Sequence, residues 1–387
     1  MRILVAMSGG VDSSVVAARL MEEGHEVIGA TLHLYTAPQQ TQKGTCCAGQ
    51  DIRDARSVAD KLGFPHYVID AEQRFQESVI TPFIDSYAAG ETPVPCVACN
   101  KGVKFTDLLD LAREIGAEAM ATGHYVRRIE RPKGVELHRP RDLTRDQSWF
   151  LFATTRAQLH FLRFPLGDMP NKQSVRQEAE RFGLAVADKP DSQDLCFVHN
   201  GSYSQLVERK YPEMVGSGDI VDQDGHVVGQ HEGVLRFTVG QSKRLGNVAS
   251  LKGERQMVVG INPQLRRITI APRAQTSMNT LTLREVNWLI DPPDHEVECW
   301  VQMRARETPR RARVIPTSQE TAFVSLADPA MPAPGQACVF YQDSRILGGG
   351  FICRPHTEYV ALTQKNLQEK SKTLCVSGNT MPIKNKK

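Results

Sequence analysis

The sequence lacks any apolar run long enough to cross a lipid bilayer. We also expect no secretory leader, because Met1-Arg2-Ile3 already begins an apolar run that is typical of a core strand. Charge of one sign is not in excess either: the formal net charge is only +3, which neither requires nor excludes a nucleic-acid partner. These absences predict a cytoplasmic protein that does not use a membrane.

The number of cysteines is odd. There are nine, which argues against a disulfide framework. Cys299, Cys338 and Cys353 fall within strand-like apolar runs, and we expect them to be small core residues. With 387 residues, of which 41% are hydrophobic, the chain can bury a sizeable core, and two or three domains are expected.

Two common nucleotide-binding motifs are missing from the first strand-to-helix turn. A Walker A loop requires a lysine before its final Ser or Thr, and a dinucleotide fingerprint requires Gly-x-Gly-x-x-Gly. The turn instead reads Ser8-Gly9-Gly10-Val11-Asp12-Ser13-Ser14, directly after the apolar run of residues 3–7. It therefore predicts a different kind of nucleotide site.

The residues of this turn suit a nucleotide polyphosphate. Two glycines let the backbone approach a ligand, and the start of the helix offers N–H groups to an anion. The hydroxyls of Ser8, Ser13 and Ser14 add donors. A carboxylate beside a phosphate needs a cation between them, so we expect Mg²⁺ next to Asp12. The pattern therefore predicts an enzyme that uses a nucleotide polyphosphate.

Strands and helices alternate up to about residue 185, which predicts an α/β fold with a parallel sheet covered by helices on both faces. Strands are expected at 26–32, 66–70 and 118–122, and helices at 52–62 and 105–115. Residues 126–129 and 135–139 are expected to form a hairpin that interrupts the alternation of strands and helices. Nucleotides bind at the carboxyl ends of such strands, where the Ser8–Ser14 turn lies.

The pattern changes after about residue 205. Asp224-Gly225 between two short apolar runs predicts a hairpin, and short strands punctuated by Gly and Pro dominate from about residue 278. We expect a Rossmann-like ATP-binding domain over 1–203, a small central α+β domain over 204–277 and an antiparallel β-barrel over 278–358. The lysine-rich remainder, 359–387, is predicted to be a disordered tail.

Two further polar loops carry cysteines. Cys96 and Cys99 are separated by two residues at the entry to a helix, where the helix N-terminus, Lys101 and Lys104 are expected to lower a thiol pKa. Half of a zinc site is the alternative, but zinc needs four ligands, and the adjacent pair Cys46-Cys47 has the wrong spacing. The second loop carries Cys196, which taken alone would be a structural cysteine.

Taken together, these motifs give a close resemblance to the tRNA-specific 2-thiouridylases, a family of PP-loop ATP pyrophosphatases. The resemblance extends from Arg2 to about Pro355. The motifs that carry it are the Ser8–Ser14 turn, Cys46-Cys47, Pro95-Cys96-Val97-Ala98-Cys99-Asn100, Val103-Lys104-Phe105, Ala121-Thr122-Gly123-His124-Tyr125, Arg145-Asp146-Gln147-Ser148, Ser192-Gln193-Asp194-Leu195-Cys196-Phe197, Pro334-Gly335-Gln336 and Leu347-Gly348-Gly349-Gly350.

The resemblance implies two catalytic thiols and an ATP site. Cys196 would carry a persulfide, and Cys99 would be the nucleophile that helps to release its sulfur, with a transient Cys99–Cys196 disulfide. The residues implied to bind ATP are Ala6, Met7, Ser8, Gly9, Gly10, Val11, Asp12, Ser13, Leu32 and Gly123.

The resemblance also implies a tRNA partner. The residues implied to contact tRNA are Val94, Pro95, Cys96, His124, Arg145, Asp146, Gln147 and Gln336. The basic stretch 304–313 falls where the family's barrel grips the anticodon arm, although it departs from the family's usual Arg-Tyr-Arg pattern. A solvated charged strand is the competing interpretation of that stretch.

The reaction implied is ATP-dependent 2-thiolation of the wobble uridine in tRNAs for Lys, Glu and Gln. The 2-carbonyl oxygen is a poor leaving group until AMP is transferred to it, after which sulfur can attack. The wobble base must leave its stack to reach the site. The persulfide sulfur must come from outside, so a cysteine desulfurase or a sulfur-relay protein is an implied partner.

One departure from the family opens an alternative. Some relatives carry Asp where this chain has Cys96, and Cys96, Cys99 and Cys196 could instead hold a [4Fe–4S] cluster with one iron open for sulfide. Two other functions stay open from the residues alone. One is a different PP-loop enzyme, such as a small-molecule synthetase that takes ammonia from a partner. The other is an RNA-binding module with a decayed nucleotide site.

Overall fold

The computed structural model describes residues 1–35, 49–191, 195–198, 203–251 and 253–354. Cys46, Cys47, residues 192–194 and the predicted tail 359–387 lie outside the described residues. Within the described ranges, no helix combines the length and the apolar character needed to cross a membrane.

The first 191 residues contain seven described strands and eight described α-helices. The strands are β1 (Arg2–Ala6), β2 (Glu26–His33), β3 (His66–Asp70), β4 (Ala119–Ala121), β5 (Arg127–Arg131), β6 (Gly134–His138) and β7 (Leu162–Arg163). The helices are α1 (Val11–Glu22), α2 (Gly49–Leu62), α3 (Glu72–Phe75), α4 (Thr81–Ala88), α5 (Pro95–Cys99), α6 (Leu108–Glu114), α7 (Arg156–Phe161) and α8 (Lys172–Arg181).

Five of these strands form a parallel sheet in the order β3-β2-β1-β4-β7. Because side chains alternate along a strand, β1 contributes to two cores. Ile3 and Val5 pack with α1, α2 and α8 on one face, whereas Leu4 packs with α6 on the other. The predicted parallel sheet with helices on both faces is confirmed, and its central strand is almost completely buried.

The segment that carries Cys96 and Cys99 differs from the sequence prediction. Both cysteines lie inside α5 rather than in a loop before a helix, and α5 continues directly into a wide π-helical stretch, Asn100–Asp107. The helix predicted at 105–115 is therefore α-helical only from Leu108. Pro95 occupies the first helical position, where its missing N–H costs no hydrogen bond. Such π segments are frequent at functional sites.

The middle region is a small mixed sheet preceded by a helix. Its elements are α9 (Ser204–Lys210), β8 (Gly218–Val221), β9 (Val227–His231), β10 (Ser250–Leu251), β11 (Glu254–Asn262) and β12 (Arg267–Pro272). The strand order is β10-β11-β12-β8-β9, and only the β12–β8 pair is parallel. The β8–β9 hairpin around Asp224-Gly225 confirms the turn prediction, whereas β11 and β12 were not predicted.

The last described region is a closed antiparallel barrel, as predicted. Its strands are β13 (Met278–Trp288), β14 (Val297–Gln302), β15 (Arg310–Pro316), β16 (Ala322–Ala330), β17 (Ala337–Gln342) and β18 (Arg345–Ile352). They follow the order β13-β16-β15-β14-β17-β18, and a β13–β18 pairing closes the ring. Cys299 and Cys338 are buried in its core, and Cys353 is half-buried just after β18.

The barrel is joined to the N-terminal domain by a strand pairing and by buried polar contacts. The hairpin β5–β6, predicted as an excursion, extends the barrel sheet at β18, where Arg345 is paired with His138. The indole Nε1 of Trp149 donates to the Gln302 carbonyl at 3.1 Å. Arg139 donates to the Gln302 side chain at 2.5 Å. Gln302 ends β14, so these bonds bring residues 303–309 of the barrel beside the N-terminal domain.

Candidate active site at the nucleotide loop

The turn between β1 and α1, residues 7–13, is called the nucleotide loop here. It leaves the sheet with Met7 N donating to Ala30 O at 2.8 Å, and it is bent at Gly9, whose φ is +70°. A Cβ at Gly9 would lie 2.1 Å from the carbonyl oxygen of Asp51 on α2. Gly10 precedes the first turn of α1 without a side-chain cap, so that turn keeps N–H groups for an anion.

The three serines of the turn differ in how accessible their hydroxyls are to a ligand. Ser14 is fully buried and donates to the Gly10 carbonyl at 2.9 Å, so it shapes the turn rather than offering a donor to a ligand. Ser13 Oγ accepts from Ser8 N at 3.1 Å and lies 3.2 Å from the Gly10 carbonyl. Ser8 is exposed at the mouth of the loop. Ser8 is thus the hydroxyl most open to a phosphate.

Asp12 already has a cation beside it in the structure. The Lys172 ammonium lies 2.7 and 2.8 Å from its two carboxylate oxygens, and the Tyr125 hydroxyl donates to Oδ1 at 2.7 Å. Burial and the Asp12 carboxylate raise the pKa of Tyr125, so its phenol keeps the proton that it donates. Asp12 is therefore paired with a lysine of the protein in this structure, and Mg²⁺ beside this carboxylate stays a prediction.

Asp191 is the second carboxylate that Lys172 binds. Its Oδ1 lies 2.7 Å from the ammonium, and Arg145 donates to its Oδ2 at 2.6 Å. Burial raises the pKa of Asp191, but hydrogen bonds and positive charge from Lys172 and Arg145 outweigh it and hold the pKa below its usual value. Asp191 is therefore ionised at neutral pH.

A second lysine fastens the nucleotide loop from its other side. Lys189 donates to the Gly9 carbonyl at 2.9 Å and to Asp51 at 2.6 Å, and it also bonds Asp54. Burial lowers the pKa of Lys189, but these two carboxylates outweigh it, so the pKa is raised and the ammonium is kept. The loop is thus held between α2 and the segment 189–191.

A cavity of about 810 Å³ opens in front of the nucleotide loop. This volume lies in the range of small-molecule sites. Its lining comes from the nucleotide loop and from residues 143–147, 189–191 and 305–309. The barrel therefore forms one wall of the candidate nucleotide site.

Three residues predicted to contact tRNA line this cavity, and the side chain of each already makes a hydrogen bond within the protein. Arg145 is bound to Asp191, Asp146 accepts from Ser148 N at 2.8 Å, and Gln147 accepts from Tyr125 N at 2.8 Å. Two of them therefore shape the wall itself, and a tRNA contact by Arg145 would compete with its bond to Asp191.

The other ATP and tRNA predictions are distributed around this loop. Gly123 lies against α1, because a Cβ there would come within 3.0 Å of Ser13 N. Ala6 and Leu32 are half-buried in the adjoining apolar clusters. Gln336 donates to Thr92 O at 2.8 Å and so ties the barrel to the segment that leads to Val94 and Pro95. These contacts assign positions, and their roles toward ligands stay predictions.

His124 is held as a neutral imidazole. Burial, with a further contribution from the charge of Lys104, lowers its pKa to about 3. Its Nδ1 lies 2.8 Å from the Thr122 hydroxyl, and its ring packs edge-to-face against Phe105 and Phe164. A tRNA contact by His124 would be a hydrogen bond or a stacking contact, not an ionic one.

The two cysteines predicted to be catalytic both pack in or against one cluster of buried apolar side chains. Cys99 is only 7% exposed and belongs to it, and Cys196 packs against it. The Cys196 carbonyl accepts a hydrogen bond from the Tyr35 hydroxyl. The cluster also contains Phe197, which packs edge-to-face on Phe75 at 5.8 Å. Both cysteine-bearing segments thus pack on one apolar cluster, and their convergence over the nucleotide loop stays a prediction.

The predicted lowering of the thiol pKa at α5 is wrong. Burial raises the pKa of Cys99, and the charge of Lys104 offsets only part of that effect. The pKa of Cys96 is also raised by desolvation from the surrounding protein, although part of its thiol is exposed. The helix has five residues, and its N-terminal partial charge does not compensate for the loss of water. Cys99 is therefore a thiol at neutral pH in this structure.

The basic stretch 304–313 combines loop and strand. Its end begins β15, where Arg311 and Arg313 are exposed, and Arg311 lies over the exposed ring of Trp300. Arg310 is paired with Glu307 at 2.9 Å, and Arg304 donates to the Met331 carbonyl. The stretch is thus partly a charged strand and partly the wall of the cavity.

Sequence reasoning missed Lys172 and Lys189, the two cations that organise the site. Lys172 follows the Asn171 cap of α8, a pattern that indicates only a helix start. Its contact with Asp12 spans 160 residues of chain, and no local signal predicts it. Lys189-Pro190-Asp191 resembled a simple polar connection.

The comparisons with known proteins agree with this architecture. Residues 1–200 match the family model described as the tRNA methyl transferase HUP domain, residues 204–272 its PRC-barrel domain, and residues 278–352 an aminomethyltransferase beta-barrel domain. Among solved structures, a 4-thiouridine synthetase–RNA complex with bound ATP covers 55% of this chain and 50% of its own, with 14% identity and a TM-score of 0.36, which is too low to carry an argument.

The parallel sheet, the glycine turn and the cavity in front of it define a PP-loop nucleotide-binding protein. Two relatives identify the family within this class. A tRNA-specific 2-thiouridylase MnmA from Gluconobacter oxydans is 64% identical over 356 residues, 91% of this chain and 99% of that protein. The one from Acidiphilium cryptum is 56% identical over 353 residues, 91% of this chain and all of that protein. The chain belongs to the tRNA-specific 2-thiouridylase family.

The packing of Gly9 on α2 predicts an asymmetry between the two glycines of the loop. Gly9→Ala would force a Cβ into the Asp51 carbonyl at positive φ, and we expect a loss of roughly 1–3 kcal/mol in the free energy of unfolding. Gly10→Ala is the matched control, because its Cβ would meet only Ser8 Oγ at 3.5 Å. Urea unfolding followed by circular dichroism measures both. Equal stability of the two variants would contradict this packing.

The raised pKa of Cys99 predicts the pH at which it reacts. Alkylation needs the thiolate, so its rate should stay low at neutral pH and rise only above the ordinary thiol range. Lys104→Gln removes a charge that favours the thiolate and should move the midpoint to still higher pH. Lys101→Gln, at an exposed position nearby, should not. Peptide mass spectrometry of iodoacetamide-treated protein gives the profiles, and an identical midpoint in Lys104→Gln and wild type would overturn the assignment.

Proposed function

We propose that the protein catalyses ATP-dependent 2-thiolation of the wobble uridine in tRNAs for Lys, Glu and Gln. Membership of the 2-thiouridylase family supports this proposal. The observation that carries it is the arrangement of the cavity: the nucleotide loop and Asp191, which lies five residues before Cys196, both line it. An activated base and a sulfur carrier can therefore approach the same space.

The first half-reaction is the activation of the base. The uridine 2-carbonyl oxygen attacks the α-phosphorus of ATP, the bond to the β-phosphate side breaks, and pyrophosphate leaves. The nucleotide loop and the first-turn N–H groups of α1 would bind the phosphates, and the Lys172 ammonium would stabilise their negative charge. We assign ATP contacts to Ala6–Ser13, Leu32 and Gly123 as the sequence predicted.

Mg²⁺ beside Asp12 would have to share a carboxylate that the protein itself already binds. Both oxygens of this carboxylate are within hydrogen-bond distance of Lys172, and one also accepts from Tyr125. The side chain is therefore used inside the protein, and Lys172 supplies the positive charge at this position. ATP itself would arrive as its magnesium complex, as nucleoside triphosphates usually do.

The second half-reaction transfers sulfur. The terminal sulfur of a persulfide on Cys196 attacks C2 of the activated uridine, and AMP leaves with the former carbonyl oxygen. The Cys99 thiolate then attacks the Cys196 sulfur, which breaks the remaining S–S bond, releases 2-thiouridine and leaves a Cys99–Cys196 disulfide for an external thiol to reduce. Because Cys99 is buried and protonated here, tRNA binding or a base must first free its proton.

The partners follow from this chemistry. The tRNA would occupy the cavity wall at 143–147, the segment Val94–Cys96, His124 and Gln336. The persulfide sulfur would come from a cysteine desulfurase or a sulfur-relay protein in the cytoplasm. We retain the domain limits 1–203, 204–277 and 278–358 as working boundaries for these roles.

A direct assay tests the proposed function. Protein, MgATP, a persulfide donor and unmodified tRNA should yield 2-thiouridine on nucleoside analysis, with release of pyrophosphate. Cys99→Ser and Cys196→Ser should each abolish the product, because neither hydroxyl can carry or displace persulfide sulfur at a useful rate. Cys353→Ser, at a half-buried thiol on the barrel, is the matched control and should stay active. Full activity of Cys99→Ser would instead favour an amidating synthetase of the same superfamily.

The [4Fe–4S] cluster stays a prediction for the same three cysteines. Cys96 and Cys99 are neighbours on one side of α5, because residues three apart face the same way on a helix. In the described part of the chain, the side chains close enough to share one metal ion are His33–Asp70–Glu72 and Asp222–Asp224–His226, and neither group contains a cysteine.

Iron and sulfide analysis after anaerobic purification decides between persulfide and cluster. About four irons per chain, lost in Cys96→Ser, would support the cluster. Colourless, iron-free protein with full thiolation activity would exclude it.

A further inference from the structure

The segment 189–191 is fastened to the nucleotide loop at both of its ends, and it leads directly toward Cys196. We propose that Asp191 is a positioning residue that fixes the start of the Cys196 segment against the nucleotide loop. The proposal deepens the function proposed above and rests on it, because the fixed segment is the one that would carry the persulfide.

The first contact is the charge bridge through Lys172. Its ammonium lies 2.7 Å from both Asp12 Oδ1 and Asp191 Oδ1, and its side chain is only 10% exposed. Charge-assisted hydrogen bonds of this kind are short and directional. Since α8 holds Lys172 in place, the bridge sets the separation between the nucleotide loop and Asp191.

The second contact comes from the tRNA-facing wall. Arg145 donates to Asp191 Oδ2 at 2.6 Å, and Arg176 contributes a longer ion pair of 3.8 Å to Oδ1. Both oxygens of Asp191 are therefore engaged by cations from different elements. Asp191 is the point at which the nucleotide loop and the wall at 143–147 meet.

The third contact restrains the backbone before Asp191. Lys189 binds the Gly9 carbonyl, and Pro190 has a fixed φ, so Asp191 cannot swing freely about its neighbours. Five residues of chain span at most about 18 Å. Anchoring Asp191 thus limits how far Cys196 can move from the cavity, and releasing Asp191 shifts that restraint back to Lys189, two residues earlier.

Alkylation of Cys196 by iodoacetamide measures this restraint without ATP, tRNA or a sulfur donor. In Asp191→Asn, Lys172, Arg145 and Arg176 lose their carboxylate partner. Cys196 should then become accessible more often, with a rise in its alkylation rate on the order of tenfold. Asp191→Glu keeps the charge and should restore most of the restraint. Lys172→Gln, which removes the bridge from the other side, should resemble Asp191→Asn.

Three controls separate positioning from other effects. Asp188→Asn removes an exposed carboxylate three residues earlier and should leave the rate unchanged. Rates are compared at the plateau of the pH profile, because a purely electrostatic effect on the thiol would move the midpoint and not the plateau. Alkylation of the buried Cys338 reports global unfolding and should stay slow in every variant.

An unchanged plateau rate for Cys196 in Asp191→Asn would overturn the proposal, as would an equal rise at Cys338. The outcome does not depend on catalysis. If the wild-type protein made no 2-thiouridine while Asp191→Asn still freed Cys196, the proposed function would fail and the positioning role would stand.

Discussion

The site depends on one buried ammonium between two carboxylates. Lys172 compensates the charge of Asp12 at the nucleotide loop and that of Asp191, five residues before Cys196. Without a cation between them, the two carboxylates would repel each other at low dielectric, and the loop and the segment would separate. The parallel sheet, the packing of α8 on α1 and the cap of Asn171 all serve to place this one side chain.

The N-terminal domain and the barrel share one cavity, and the middle region joins the N-terminal domain through an apolar cluster. The parallel sheet presents the nucleotide loop, the barrel contributes a wall through residues 305–309, and Gln302 is bonded to both Trp149 and Arg139 across the boundary. The apolar cluster beneath Cys99 and Cys196 also includes residues of the middle sheet, such as Ile268. The barrel thus contributes to the cavity, and the middle sheet contributes to the packing around the two cysteines.

Much of the fold and of the nucleotide site could be predicted from local sequence patterns. The apolar run of β1, the Gly9-Gly10 turn and the caps of the helices are short-range signals, and the parallel sheet and the barrel followed from them. What could not be predicted depends on distant contacts: Lys172 reaches Asp12 across 160 residues, and the hairpin β5–β6 joins a strand some 200 residues later. The prediction of a lowered thiol pKa at Cys99 was wrong because burial, which cannot be read from the sequence, outweighs the effects of the helix N-terminus and Lys104.

Activation of the uridine oxygen by ATP is the chemical claim on which the whole arrangement rests. It is tested most directly with tRNA that carries ¹⁸O at the 2-position of the wobble uridine. Mass spectrometry of the nucleotide released with 2-thiouridine should find the label in AMP, because that oxygen becomes bound to the α-phosphorus before it leaves. Label in free phosphate or in water, with unlabelled AMP, would contradict adenylation of the base.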